Sequence, residues 1–325
     1  MSDAGPGDIA ASDPDPARRG LRLLRRTLGL AIVATAFVFL GLTIARDWDR
    51  LRPFAWSVQP LRLVASLVAI EATFVFGVYV WSRTLRCFAG EPVRWRALLR
   101  IWFLANLVRY IPGKVWQFVG IAELARRAGL EPARLLTSLF IQTGIVVLAA
   151  AVVGIGTAPA DAWLDASVRP TLLLGALGLA TACVHPAALN FGLRLIPRWV
   201  HRSTLVWQGT WKEGIWLLVL AAIDWLAYGF ALWLFVSSIT PLPGEALAAL
   251  TGINALAFLV GYLVFIAPAG LGARELSMTA LLAPLLPVAS VAAVVAIASR
   301  LWVIAAELAG AAAMLLATRA RATKT

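Results

Sequence analysis

The chain has 325 residues, of which 61% are hydrophobic and 14% are charged, and its mean hydropathy is +0.82. Soluble domains hold about 45–50% apolar and about 25% charged residues, so this composition excludes a soluble enzyme fold and indicates a chain in lipid. The net charge of +12 comes from 29 basic and 17 acidic residues. The basic residues fall in short loops between apolar runs, so membrane topology explains them better than nucleic-acid binding.

Soft metal ligands are scarce in this chain. It contains two cysteines, Cys87 and Cys183, and two histidines, His185 and His201. Their spacing matches no zinc or haem motif, so we expect no metal, no cofactor and two reduced thiols. No Ser-His-Asp arrangement, Walker loop or nicotinamide fingerprint is present. No known catalytic motif therefore identifies a catalytic residue, and the sequence favours a transporter over an enzyme.

The N-terminus predicts a cytoplasmic arm and not a cleaved signal. Residues 1–20 are rich in Asp, Pro, Gly and Ala, and we expect them to be disordered. A cluster of arginines then precedes an apolar run at 28–45, which is too long for the core of a signal peptide. We expect a single transmembrane domain over residues 21–318 and a cytoplasmic tail at 319–325.

Apolar runs of spanning length recur along the whole chain. A helix rises about 1.5 Å per residue, so about 20 apolar residues cross a bilayer. The runs of this kind are 28–45, 61–81, 135–158, 170–192, 214–238, 247–267 and 288–317. Two further apolar segments, 101–119 and 268–286, are interrupted by Gly, Pro and charged residues. The pattern predicts an all-α polytopic membrane protein with about seven or eight transmembrane helices.

The distribution of lysine and arginine orients these helices. The loops at 82–100, 119–134 and 193–213 are rich in basic residues, whereas those at 159–169 and 239–246 hold one or none. The rich loops are therefore expected to face the cytoplasm, with both termini on that side of an inner, cytoplasmic-type membrane. The arginines between the first two spans conflict with this assignment, because they fall on the outer side.

This orientation predicts different topologies for the two interrupted segments. Basic loops flank 101–119 on both sides, so that segment is expected to enter and leave the membrane on one side as a re-entrant segment. The segment 268–286 is expected to cross as a short helix, because this crossing returns the tail to the cytoplasm.

The first interrupted segment carries residues that are costly in lipid. Pro112 removes a backbone donor, Gly113 loosens the helix, and Arg109 and Lys114 add two positive charges. A snorkelling role at the membrane surface is the simplest alternative to a polar cavity. Broken helices leave backbone amides unpaired at a helix N-terminus, where they suit an anionic group such as phosphate.

The second interrupted segment repeats this chemistry. A proline is followed by Gly270 and Gly272 and then by Arg274 and Glu275. Paired Gly/Pro interruptions in the two halves of a transporter are typical of its binding site. We therefore predict that the two segments meet at one polar cavity.

The two stretches also resemble a known family. Arg-Tyr-Ile-Pro-Gly-Lys-Val-Trp at 109–116 and Pro-Ala-Gly-Leu-Gly-Ala-Arg-Glu at 268–275 resemble the signature stretches in the membrane region of the lysylphosphatidylglycerol synthase/flippase family. Order, spacing and setting extend the resemblance over residues 25–318, with Ala269 where the family pattern has glycine. The resemblance implies a flippase-like domain that handles a phospholipid or a polyprenyl-linked lipid. Full-length members add a cytosolic aminoacyltransferase domain, and no such activity is implied for this chain, which ends at Thr325.

Further polar residues lie inside the predicted spans. Glu71 and Asp224 are intramembrane acids, which mark either a functional cavity or an internal charge pair. We expect Asn106, Gln142 and Asn254 to hydrogen-bond between helices, because this role is commoner for amides in membranes than ligand contact.

The sequence leads to a lipid translocase as the first hypothesis. The basic residues would neutralise a lipid phosphate, and the acids would receive an amine, a hydroxyl-rich head group or a coupling proton. The candidate substrate-binding residues are Arg109, Pro112, Gly113, Lys114, Gly270, Gly272, Arg274, Glu275, Asp224 and Glu71. The expected partners are membrane lipids, and the sequence does not determine the oligomeric state.

Two other functions stay open at this point. The second hypothesis is a non-catalytic membrane partner of a lipid-modifying synthase or glycosyltransferase, which the missing soluble domain suggests. The chain is less plausibly a membrane-embedded head-group transferase, for which Glu275 and Asp224 are the acid and base available.

Overall fold

We analysed a computed structural model of the chain. The structure describes residues 41–52, 58–107, 116–159, 167–195, 205–242, 245–264, 272–286 and 288–322, together with the single residues 38, 54 and 56. The expected disordered arm at 1–20 and most of the first predicted span at 28–45 lie outside these residues.

The described part of the chain is mostly α-helical and contains no β-strand. A four-residue α-helix, Trp48–Leu51, precedes the main helices. These are α1 (Pro60–Arg86), α2 (Trp95–Leu107), α3 (Trp116–Arg127), α4 (Pro132–Thr157), α5 (Arg169–Cys183), α6 (Pro186–Leu195), α7 (Trp211–Ile239), α8 (Ala246–Leu263), α9 (Ala273–Leu282) and α10 (Ala289–Ala322). A 3₁₀ turn, Ala283–Leu285, follows α9.

Five of the described helices are long and apolar enough to cross a membrane. They are α1, α4, α7, α8 and residues Ser290–Ala317 of α10. They correspond to the predicted spans 61–81, 135–158, 214–238, 247–267 and 288–317. An all-α, multi-pass membrane protein is therefore the architecture of the described chain.

The predicted span 170–192 is not one straight helix. It divides into α5 and α6, which meet at an angle of 72° across a short break. Pro186 explains the break, because proline cannot continue the hydrogen-bond ladder and restricts His185 before it. Counted together as one bent crossing, the pair raises the number of candidate spans among the described residues to six.

Local sequence signals set the ends of several long helices. Prolines occupy the first turns of α1 and α4, where the missing N–H is not needed. At the start of α7, the Thr210 hydroxyl accepts from the Glu213 amide, and the Glu213 carboxylate accepts from the Thr210 amide at 2.7 Å. This capping box satisfies two backbone donors that would otherwise lack partners.

Contacts between residues establish the relative directions of the long helices. The Gln59 amide donates to the Ser238 carbonyl at 2.8 Å, and Asp224 lies beside Gly77, so α1 and α7 run antiparallel. Gln142 on α4 reaches Gly77, while Ser138 lies beside Trp81, so α4 is also antiparallel to α1.

The direction of α10 follows in the same way. Ser66 and Glu71 of α1 approach Trp302 and Gly310 of α10 in the same order along both helices. Helix α8 runs antiparallel to α7 and therefore parallel to α1 and α10, because Gly229 faces Thr251 and Trp225 faces Phe258. The chain must consequently return between α8 and α10, and α9 lies on this return path.

One end of the helix bundle is strongly basic. We call it the basic end; it holds the C-terminal ends of α1 and α8 and the N-terminal ends of α2, α4 and α7. Its basic side chains include Arg83, Arg86, Arg94, Arg96, Arg100, Arg126, Arg127, Arg134 and Lys212. The opposite end holds Arg62 and Arg169, together with the segment around Arg46 and Arg52, so the conflict in the charge pattern is present in the structure as well.

Helices α2 and α3 form a hairpin that starts and ends at the basic end. Arg134 at the start of α4 ties this end together, because its guanidinium donates to the carbonyl oxygens of Leu85, Phe88 and Glu91 at 2.7–3.2 Å. At the other end of the two helices, Gln117 Nε2 donates to Asn106 Oδ1 at 2.8 Å. The residues between them, 108–115, lie outside the described chain.

Tryptophan side chains join the long helices by hydrogen bonds as well as by packing. In lipid, helices associate through close packing and polar contacts, because burial from water supplies no driving force between them. Three tryptophans donate indole N–H hydrogen bonds of 2.9–3.1 Å to a neighbouring helix. Trp81 donates to the Ser138 hydroxyl, Trp225 to the Val146 carbonyl and Trp302 to the Ser66 hydroxyl.

Candidate functional site

The described residues place a buried ion pair between α8 and α9. Arg274 and Glu275 lie in the first turn of α9, and their side chains are 9% and 0% exposed. Arg274 Nη1 lies 3.7 Å from Glu275 Oε1, which is an ion pair without a hydrogen bond. Arg274 Nη2 donates to Asn254 Oδ1 of α8 at 3.2 Å. We call Asn254, Arg274 and Glu275 the α8–α9 polar cluster.

A glycine turn determines how this cluster is held. Gly272 precedes α9 with a φ of +84°, which side-chain-bearing residues rarely adopt. Its amide donates to Glu275 Oε2 at 2.7 Å and so closes the first turn of α9. Gly261 lets α8 and α9 come together, because a Cβ there would lie 2.9 Å from Arg274 Cβ.

The α8–α9 polar cluster keeps unused hydrogen-bonding capacity. Arg274 Nη1, Glu275 Oε1 and Asn254 Nδ2 are buried and make no hydrogen bond. Burial of a charged group without hydrogen bonds is expensive, especially in lipid. A phosphate accepting from Nη1 and Nδ2, or an ammonium donating to Oε1, would complete this set of donors and acceptors.

Glu71 lies at a second place, between α1, α2 and α10. A Cβ at Gly310 would lie 2.9 Å from Glu71 Oε2 and 2.1 Å from Phe103 Cε1. The Glu71 side chain is therefore pressed against the backbone of α10, and its Oε1 is buried without a hydrogen bond.

Asp224 lies at a third place, on the face of α7 that packs against α1. Its Oδ2 would be 3.7 Å from a Cβ at Gly77, and its Oδ1 is buried without a hydrogen bond. Gln142 of α4 donates to the Gly77 carbonyl at 2.9 Å, so this region contains polar groups from α1, α4 and α7.

The sequence-predicted site residues thus separate into distinct groups. The structure brings Gly272, Arg274 and Glu275 together, while the contacts of Glu71 and Asp224 are with other helices. Asn106, Gln142 and Asn254 each hydrogen-bond to another helix, as predicted for these amides. Half of the predicted set, namely Arg109, Pro112, Gly113, Lys114 and Gly270, lies outside the described residues.

Two residues beside Glu71, Gly310 and its neighbour Phe103, were missed by the sequence reasoning. Gly310 lies close to both the Glu71 carboxylate and the Phe103 ring, but Phe103 and Gly310 each look ordinary in their own helix. A glycine within a long apolar helix is the signal that could have identified the close approach at position 310.

The described residues contain no group of three or more His, Cys, Asp or Glu side chains that could hold a metal ion. No family model matches the chain, and no curated protein matches it.

Proposed function

We propose that the chain is a flippase-like membrane protein that binds a phospholipid or polyprenyl-linked lipid and moves it between leaflets. The observation that carries this proposal is the α8–α9 polar cluster. A guanidinium, a carboxylate and an amide are buried together in an apolar helix bundle, each with a polar atom that makes no hydrogen bond. Such a cluster is costly to maintain in lipid, and recognition of a charged head group explains its presence.

Helix geometry supports a role in transport. The two predicted interruptions fall after α2 and after α8, and in each case an amide before the break is linked to a side chain after it. These links are Asn106 with Gln117 and Asn254 with Arg274. Interrupted helices near a substrate site are common in secondary transporters, where backbone groups at the break contact the ligand.

The resemblance of residues 109–116 and 268–275 to the lysylphosphatidylglycerol synthase/flippase family supports a lipid as the substrate. We propose that the family assignment is correct and that 101–119 is re-entrant, since α2 and α3 start and end at the basic end. The basic end then faces the cytoplasm of an inner membrane, and 268–286 crosses as a short helix.

A reconstituted lipid-movement assay tests the proposal. Purified protein is placed in vesicles that carry fluorescent phosphatidylglycerol, phosphatidylethanolamine or a polyprenyl phosphate, and an impermeant reductant bleaches the outer leaflet. We expect protein-dependent bleaching of inner-leaflet probe for at least one head group. Arg274→Ala should slow it about tenfold, because hydrogen bonds to charged groups are worth about 1.5–3 kcal/mol.

Two further variants make the result specific. Arg126→Ala removes an exposed arginine of α3 and should leave the rate unchanged. Arg274→Lys retains the charge without the planar guanidinium and should recover part of the rate if it folds. Wild-type vesicles that bleach no faster than protein-free vesicles for every probe would refute the proposed function.

A further inference from the structure

Eight of the ten described main helices form two units with the same internal organisation, and α5 and α6 lie between them in the chain. Each unit has a long span, a helix before a break, a shorter helix after it and a second long span, in the orders α1–α4 and α7–α10. Packing within the units corresponds pair by pair: α1–α2 with α7–α8, α2–α3 with α8–α9, α3–α4 with α9–α10, and α1–α4 with α7–α10.

Packing between the two units is also reciprocal. Helix α4 packs on α8 and α7, and α10 packs on the corresponding α2 and α1. Helices α1 and α7 pack on each other in antiparallel directions. If each helix of one unit is replaced by its counterpart in the other and the bundle is turned upside down, the same helix pairs remain in contact. This is the relation between two inverted repeats, which are related by an axis in the membrane plane.

Individual side chains follow the same relation. Gly310 of α10 accommodates Phe103 of α2, and a Cβ there would lie 2.1 Å from the ring. Gly154 of α4 accommodates Leu256 of α8, and a Cβ there would lie 2.8 Å from Leu256 Cδ2. Phe103 and Leu256 are 153 residues apart, and the two glycines are 156 apart. The two predicted interruptions repeat at this spacing.

The two intramembrane acids are a further equivalent pair. Glu71 and Asp224 are also separated by 153 residues and occupy corresponding places in α1 and α7. Their surroundings differ, however. Glu71 lies against the Gly310–Phe103 contact, whereas Asp224 lies against Gly77, away from the equivalent position. The two units therefore share one helix arrangement but differ in local conformation around these acids.

We infer that α1–α4 and α7–α10 form an inverted repeat whose two equivalent contacts, Phe103–Gly310 and Leu256–Gly154, open alternately during transport. This mechanism rests on the proposed function for its lipid-movement step. Each contact brings a large side chain onto a helix backbone, and packed interfaces of this kind change between discrete arrangements instead of deforming gradually. Exchange of the two local conformations would present the substrate path to one leaflet and then to the other.

Disulfide cross-links test this inference. In a Cys87→Ala, Cys183→Ala background, one protein carries Phe103→Cys with Gly310→Cys, and another carries Gly154→Cys with Leu256→Cys. An intra-unit control carries Met278→Cys with Ser299→Cys, since the Ser299 hydroxyl lies 3.5 Å from the Met278 sulfur on neighbouring helices of one unit. We expect oxidation of either inter-unit pair to slow lipid movement at least about tenfold and reductant to restore it. The control should keep at least about half of its rate.

A second readout does not depend on lipid movement. Leu256→Cys is added to the protein locked at positions 103 and 310, and its alkylation rate is compared before and after oxidation. If the two contacts alternate, locking one favours opening of the other, and the rate should rise about threefold or more. The reciprocal experiment locks positions 154 and 256 and follows Phe103→Cys.

The two readouts separate the two proposals. One outcome is that alkylation of the cysteine variants rises on locking while the wild-type protein moves no lipid. This outcome would support the alternating mechanism and refute the proposed function. Alkylation that stays constant or falls would overturn the alternating mechanism, as would full transport by either oxidised inter-unit pair. Reductive recovery shows that the cysteine variants are folded.

Discussion

Single residues with special backbone or packing demands define the proposed site. Gly272 is the clearest case, because it combines a positive φ with an amide that bonds Glu275 Oε2 at 2.7 Å. The carboxylate thereby satisfies a helix-start donor and remains buried beside Arg274. A change at this one position should affect the helix start and the ion pair together.

We predict that Gly272→Ala destabilises the protein by about 1–3 kcal/mol, which is the cost of holding a side-chain-bearing residue in such a conformation. Thermal unfolding in detergent measures the effect. Gly178→Ala is the matched control, because Gly178 is helical and exposed, and a Cβ at this position would have no atom within 4 Å. Alanine should leave that helix unchanged or more stable by up to about 1 kcal/mol. Equal stability of the two variants would contradict the role assigned to Gly272.

Cys87 gives a pH-dependent prediction outside the spans. Burial raises the pKa of its thiol from 9.0 to about 11, because the thiolate is poorly solvated, and the Glu213 carboxylate adds to this rise. A pKa raised by folding gives stability that is complete below pH 9 and is lost as pH rises towards 11. The wild type should therefore lose more stability than Cys87→Ala between pH 9 and pH 11 in unfolding scans. Parallel curves for the two proteins would show that Cys87 does not contribute.

At the scale of the secondary-structure elements, a few polar side chains each make several hydrogen bonds between helices and loops. Arg134 is the main example, since its guanidinium donates to one carbonyl oxygen in the last turn of α1 and to two in the loop between α1 and α2. This one side chain holds the base of the α2–α3 hairpin against the start of α4.

We predict that Arg134→Met destabilises the protein by about 2–4 kcal/mol, because it leaves three backbone acceptors without their donor. Arg134→Lys keeps the charge but has no planar fork of donors, and its effect should be intermediate. Hydrogen exchange should increase first in residues 85–91. The exposed Arg126→Met is the control and should change stability by less than about 0.5 kcal/mol. An Arg134→Met protein as stable as this control would contradict the role of the clamp.

The sequence predicted the long helices better than the polar contacts between them. Apolar runs of spanning length are local signals, so the spans 61–81 and 214–238 agree closely with α1 and α7. The 72° bend at His185–Pro186 was not predicted, because a proline near a helix end can either kink or stop it. The grouping of Glu71 with Gly310 and Phe103 depends on three helices packing together, and no local pattern contains it.

At the scale of the whole molecule, the inverted repeat explains features that appear unrelated in the sequence. Two interrupted segments, two intramembrane acids and two glycine contacts recur at spacings of 153–156 residues. The sequence showed the first of these pairs through its Pro and Gly residues. The others required the helix directions, because Glu71 and Asp224 become equivalent only when α1 and α7 are known to be antiparallel.

The charge asymmetry of the bundle leads to the last prediction. If the basic end faces the cytoplasm, the loop around Arg94 lies inside and the start of α1 around Gln59 lies outside. In a Cys87→Ala, Cys183→Ala background, an impermeant maleimide should label Gln59→Cys in intact cells and Arg94→Cys only after permeabilisation. Both positions are exposed, so access to reagent is limited by the membrane and not by the fold. Labelling in the opposite order would place the basic end outside, because the arginines near residues 46–52 would then outweigh those of the α1–α2 loop.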